Sequence, residues 1–133
     1  EANSRMLHLF ARLLETQGDI KKLTKEEKNL ARDAKNYMDR MYSRDIRIQD
    51  VAGILHVHPN YLSTLFRREY DQSPREYLRK VRMNQAKLLL ATTEYSISDI
   101  SSDVGYTNPF QFSKVFKSCY GISPTEYRNM RQV

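Results

Sequence analysis

The chain has 133 residues, with 22 Lys and Arg against 16 Asp and Glu for a net charge of +6, a pI near 9.5 and a mean hydropathy of -0.70. That length suits one domain, or two small lobes sharing a helix. The charge favours an anionic partner, nucleic acid first, although a solvated basic surface gives the same balance. No apolar run reaches the roughly 18 residues of a membrane span and no signal-peptide pattern opens the chain, so no membrane partner is expected.

Cys119 is the only cysteine, so an internal disulfide is impossible and a reducing cytoplasm is the default expectation. Its helical spacing from Val115 and Phe116 predicts a buried core thiol. The first residue is Glu1 rather than Met, which suggests a piece of something longer and an N-terminal effector or dimerisation domain outside this chain.

Residues 1–17 place Met6, Leu7, Phe10, Leu13 and Leu14 on one helical stripe. Two readings stay open: a helix packed on its own domain, or a dimer-forming helix from the upstream domain. Gly18 is a C-cap, and residues 1–23 together are an amphipathic helix with its connector. Thr24 with Glu27 is a capping box opening a helix to about Tyr42, with Leu30, Ala34, Tyr37 or Met38, and Met41 inward.

Ile48 to Leu55 reads as a short helix burying Val51, Ala52 and Leu55. His56 to His58 is a turn, and Pro59 suits the first position of the next helix, where its missing N–H is no loss. That helix, 59–70, buries Leu62, Leu65 and Phe66 and leaves Asn60, Ser63, Thr64 and Arg67 on its polar face, flanked by Arg68. Ser73-Pro74-x-Glu76 restarts a helix that runs to about Ala91, about 27 Å at 1.5 Å per residue. Tyr77, Leu78, Val81, Ala86, Leu88, Leu89 and Leu90 are its apolar residues, and the leucine run faces several ways, as a helix shared by two lobes should.

Ser96 or Ser98 can cap the next short helix, which buries Ile97, Ile100 and Val104. Gly105 frees the backbone for a turn and Tyr106 points inward. Asn108 and Pro109 are cap and first position of a helix spanning 109–120, with Phe112, Val115, Phe116 and Cys119 inward. Phe110, Gln111, Ser113, Lys114 and Lys117 are left outward or flanking. Gly121 stops this helix, and Ser123-Pro124-x-Glu126 starts the last one.

The same pattern thus occurs twice. Ile48, Asp50 and Val51 match Ile97, Asp99 and Ile100 at a spacing of forty-nine. Ser63, Phe66, Tyr70, Ser73, Pro74, Glu76 and Tyr77 match Ser113, Phe116, Tyr120, Ser123, Pro124, Glu126 and Tyr127 at fifty. A turn longer by one residue explains the change. The fold class is therefore all-α: about seven helices in two helix-turn-helix subdomains, 24–72 and 93–133, joined by a long central helix at 73–92, plus the N-terminal amphipathic helix. Two such units could read major-groove segments about one turn, ~34 Å, apart.

Residues Thr24 to Gln132 resemble the C-terminal DNA-binding domain of the AraC/XylS family of bacterial transcription regulators. The motifs are Val104-Gly105-Tyr106, Asn108-Pro109, Phe112-Ser113-Lys114-x-Phe116-Lys117 and Gly121-x-Ser123-Pro124-x-Glu126-Tyr127-Arg128. Tyr61-Leu62-Ser63, Leu65-Phe66, Glu76-Tyr77-Leu78, Arg82 and Ala86 match in the first unit and the central helix. Asp71 stands where glycine is frequent, Ser101 where alanine is usual, His58 where a cap serine is usual, and Thr64 where longer basic side chains are frequent. The resemblance implies a sequence-specific regulator with two recognition helices in adjacent major-groove segments of double-stranded DNA. It also implies a small-molecule effector, a sugar among the options, acting through the missing domain, and a carbohydrate or other metabolic operon as target. RNA polymerase and a homodimer through residues 1–17 or the missing domain are further expected partners.

Asn60, Ser63, Thr64, Phe110, Gln111 and Lys114 are the base-edge candidates. Lys114 could donate to guanine, Gln111 or Asn60 could pair with adenine, and Phe110 could meet a thymine methyl or else pack inside the domain. Arg67, Arg68, Ser98, Asn108 and Lys117 are phosphate candidates, as is Arg82, which could equally be structural. His56-x-His58 lacks further ligands nearby in sequence, so turn and cap roles are expected rather than a metal, and no cofactor is expected. No nucleophile sits beside a base, so an enzyme is not expected. A helical protein–protein adaptor and the output domain of a response regulator are the alternatives.

Overall fold

The computed structural model describes residues 22–131, and these fold into seven α-helices. They are α1 (Lys25–Met41), α2 (Ile48–Ile54), α3 (Pro59–Tyr70), α4 (Pro74–Thr92), α5 (Ile97–Asp103), α6 (Pro109–Tyr120) and α7 (Pro124–Met130). The expected helix in residues 1–17 lies outside the described residues.

Each boundary has a local chemical cause. Three capping boxes open α1, α4 and α7: the N–H of Thr24, Ser73 and Ser123 donates to Glu27, Glu76 and Glu126, whose own N–H donates back to the hydroxyl. Ser96, not Ser98, caps α5 by accepting the Asp99 N–H at 3.0 Å. The two helices that follow turns are closed alike. Asp71 ends α3 at φ 60 and Gly121 ends α6 at φ 81, each sending its N–H back to the carbonyl four residues earlier.

The described chain divides into two compact units. One contains residues up to Met38 together with Arg47–Tyr77; the other contains Asp39–Ile46 and residues from Leu78 on. This differs from the expected boundaries, because the end of α1 and the loop after it belong with the second unit. The division falls within α4 itself, after its first turn.

In the first unit Ala31, Ala34 and Met38 of α1 are buried with Val51, Ala52, Tyr61, Leu62, Leu65 and Phe66. In the second, Met83, Ala86 and Leu90 of α4 form one stripe against Ile100, Val104, Phe112 and Phe116. Burial of each large apolar side chain contributes about 1.5–3 kcal/mol, so these faces hold the helices in place. Leu88, in the leucine run that faces several ways, is 53% exposed, because it lies about 200° around the helix from Leu90. Cys119, expected in the core, is exposed. The neighbouring Tyr120 ring takes the inward place, 4.7 Å from Phe116.

The repeat extends to aromatic packing. Phe66 lies 4.8 Å from Tyr70 and 5.7 Å from Tyr77; Phe116 lies 4.7 Å from Tyr120 and 5.7 Å from Tyr127. A lysine covers each tyrosine pair: Lys35 at 5.9 and 5.7 Å in the first unit, Lys87 at 4.7 and 6.0 Å in the second. The first turn of α4 therefore closes the first unit as α7 closes the second.

Candidate nucleic-acid interface

The two turns that present α3 and α6 are built alike. In the first, the N–H of His56 donates to Gly53 O at 3.1 Å and that of Val57 to Ala52 O at 3.0 Å. In the second, Gly105 donates to Ser102 O at 3.1 Å and Tyr106 to Ser101 O at 2.9 Å. Both turns need a left-handed residue, His56 at φ 58 and Gly105 at φ 99. A histidine there carries a steric cost of about 1–2 kcal/mol. The second turn has no such latitude: a Cβ on Gly105 would lie 2.4 Å from Tyr42 O. Ser101, buried in this turn, directs its hydroxyl to Tyr106 O at 3.3 Å, which accommodates a polar group in the core.

The helix starts are fixed by side chains. The Asn60 N–H donates to His58 Nδ1 at 3.1 Å, so His58 is the α3 cap. Asn108 Oδ1 accepts from Phe110 N at 2.9 Å and Gln111 N at 3.3 Å at the start of α6. The extra residue in the second turn, Thr107, stands between Tyr106 and this cap. Among the described residues no group of three or more His, Cys, Asp or Glu could hold a metal ion.

With Leu62, Leu65 and Phe66 inward, α3 presents Asn60 and Arg67 exposed and Ser63, Thr64 and Arg68 half-buried. The Thr64 hydroxyl donates to Asn60 O at 3.0 Å, which ties its proton to the helix itself. Arg67 pairs with Glu76 at 3.6 Å. On α6, Phe110 is 85% exposed, which overturns the alternative of packing inside the domain. Gln111, Lys114 and Lys117 are exposed beside it, as are Asn108 at its cap and Ser98 on α5.

Arg82 is placed differently. Its Nε donates to Tyr42 O at 2.9 Å and Nη2 to Arg44 O at 2.9 Å, while the guanidinium lies 5.4 Å from the Tyr106 ring centroid. Burial lowers its pKa below the ordinary arginine value, with Tyr106 and Asp45 acting in the opposite sense. Arg82 thus serves as a strut inside the second unit, with two of its donors held by backbone carbonyls. Two further arginines escaped sequence reasoning. Arg128 Nη2 donates to Thr93 O at 3.3 Å and Arg131 Nη1 to the same oxygen at 2.7 Å, satisfying a carbonyl that the end of α4 leaves without a helical partner. Their targets lie more than thirty residues away, so no local spacing reveals them.

Two helix-turn-helix units, each presenting a capped helix with polar and basic side chains outward, define a protein class that docks on a nucleic-acid groove. A helix-turn-helix domain model matches residues 51–130, and the chain belongs to that family in its AraC-type form, the DNA-binding module of transcription regulators. The chain is 38% identical over 110 residues to the raffinose operon transcriptional regulatory protein RafR of Pediococcus pentosaceus, covering 83% of this chain and 39% of that relative. It is 40% identical over 96 residues to the lactose operon transcription activator of Staphylococcus xylosus, covering 72% of this chain and 34% of the other. Its fold matches the C-terminal domain of AraT, a response regulator from Geobacillus stearothermophilus, with a TM-score of 0.76 and 35% identity. That match covers 85% of this chain and 91% of the AraT domain. The chain therefore spans two fifths or less of the full-length relatives RafR (39%) and the lactose activator (34%). No described helix is long and apolar enough to cross a membrane.

Proposed function

We propose that this chain reads duplex DNA in a sequence-specific way, with α3 and α6 entering adjacent major-groove segments and controlling transcription of a carbohydrate operon in the cytoplasm. The observation that carries the reading is Phe110, an aromatic ring 85% exposed beside Gln111 and Lys114 on a helix whose other face is locked in the core. An apolar ring held out in water at such a point suits a thymine methyl, while Gln111 and Lys114 supply the donors that adenine and guanine accept. Asn60, Ser63 and Thr64 read bases from α3. Arg67, Arg68, Lys117, Ser98 and Asn108 hold phosphates and fix the register.

The sugar assignment rests on the raffinose and lactose regulators among the relatives. In a longer protein an upstream domain would bind the effector and form a homodimer, and RNA polymerase would be met at the promoter as by an activator. The likeness to AraT favours a second reading, in which the upstream domain is that of a response regulator. In-vitro selection of sites from random duplex DNA, followed by footprinting, tests the central claim. A defined site protected over about two major-groove turns supports it; sequence-blind binding refutes it. Charge reversal at Lys114 and Arg67 separates DNA binding from an adaptor role, since an adaptor would lose a protein partner and no DNA.

A further inference from the structure

Two of the three capping-box glutamates, Glu76 and Glu126, feel the charge of a cation that ends a recognition helix. Glu76 Oε1 accepts the Ser73 N–H at 3.2 Å and lies 3.6 Å from Arg67 Nη2, in the last turn of α3. Both side chains are partly in water, at 64% and 49% exposure. The repeat places Glu126 and Lys117 at the matching positions of the second unit. The Glu126 carboxyl is held below its ordinary range, mainly by the Ser123 backbone and hydroxyl, with Lys117 adding in the same direction. A helix cap needs only an acceptor at this position, and glutamine would serve. The negative charge strengthens the cap but is not required for it.

We infer that Glu76 is a positioning residue for DNA recognition: its carboxylate competes with backbone phosphate for Arg67 and so restrains sequence-blind binding. Glu126 acts on Lys117 only through space, without a recorded ion pair. Arg67 reaches a phosphate only by giving up Glu76, so part of its attraction to any duplex is cancelled in advance. Contacts to bases, which do not involve Arg67, are left undiminished. The effect is to lower the sequence-independent part of the affinity, which every duplex shares, while base preference stays with the other side chains. Surface ion pairs of this exposure are weak, so the restraint amounts to a factor of about five or less in affinity. This inference rests on the DNA-binding reading above.

The test is Glu76→Gln, which keeps the cap acceptor and removes the charge, measured by titration of a random-sequence duplex across a series of salt concentrations. The expected result is tighter binding by about two- to fivefold at low salt. The slope of log affinity against log salt should steepen by up to about 0.9, the value for one additional phosphate. In an Arg67→Ala background the same substitution should change neither quantity. Unchanged affinity and slope for Glu76→Gln, with normal wild-type binding, overturn the inference alone. A gain that persists in the Arg67→Ala background also overturns it, since the charge would then act without Arg67. A wild-type chain that binds no duplex even at low salt overturns the DNA-binding reading and this inference together. Thermal melting of each variant shows that the cap survives.

Discussion

Arg82 Nε donates to the carbonyl of Tyr42 at 2.9 Å, across forty residues of chain, and a second donor of the same side chain reaches Arg44 O at 2.9 Å. The guanidinium also lies against Tyr106, the residue that follows the glycine of the second turn. One side chain therefore ties the loop after α1, the α4 helix and the turn before α6. Arg82→Ala is expected to destabilise the protein by about 1–3 kcal/mol, because the half-buried Tyr42 carbonyl and the exposed Arg44 carbonyl each lose a charged donor. Arg82→Lys should recover less than half of this, since an ammonium cannot present the planar fork. Chemical denaturation measures both, and a loss below about 0.5 kcal/mol for alanine would contradict the strut role.

The glycines that close the two turns of the second unit should respond unequally to a methyl group. At Gly105 a Cβ meets Tyr42 O at 2.4 Å and Arg82 Nε at 2.9 Å, in addition to the strain of φ 99. At Gly121 the backbone is also left-handed, but nothing lies within 4 Å. Gly121→Ala should cost about 1–2 kcal/mol from conformation alone. Gly105→Ala should cost clearly more and weaken DNA binding through the displaced α6. Equal melting temperatures for the two variants would refute the argument from the Tyr42 contact.

Phe110 and Phe112 are two residues apart and should behave oppositely. Phe112 is fully buried, so Phe112→Ala is expected to cost about 3–5 kcal/mol of stability. Phe110 is 85% exposed, and Phe110→Ala should leave the melting temperature nearly unchanged. Its effect belongs to recognition: loss of about 1–3 kcal/mol of discrimination at one base position, with the remaining positions intact. Repeating site selection with the Phe110→Ala chain checks this, and an unaltered consensus would remove Phe110 from the reading surface.

Acid should weaken the start of α7 through Glu126. Its carboxyl is held low by the Ser123 backbone N–H, then by the Ser123 hydroxyl and by Lys117. A group whose folded pKa lies below its unfolded value stabilises above the unfolded value of about 4.3 and loses that contribution as pH falls. The wild type should therefore melt above Glu126→Gln near neutral pH, and the difference should vanish in strong acid. A difference independent of pH would assign the effect to shape rather than charge.

Much of the fold was legible because its signals are local. Thr24, Ser73 and Ser123, each three residues before a glutamate, mark helix starts wherever they occur, since a capping box involves only one turn of backbone. The inward stripes of α3 and α6 follow from helical spacing around Phe66 and Phe116. The exposed face of α6 follows from the same geometry. The error arose where spacing leaves two outcomes open. Cys119 is apolar enough to bury, but Tyr120 holds the place facing the core.

The amino-acid sequence by itself determined the duplication, and also the helix starts and the side chains that the recognition helices turn outward, which depend on neighbours within a few residues. Only the tertiary structure decided the role of Arg82, the need for glycine at position 105 and the pairing of Arg67 with Glu76. Each of those depends on an atom that the chain brings close by folding. A guanidinium carries no sign of whether it will meet a carbonyl, a carboxylate or a phosphate until the fold supplies one.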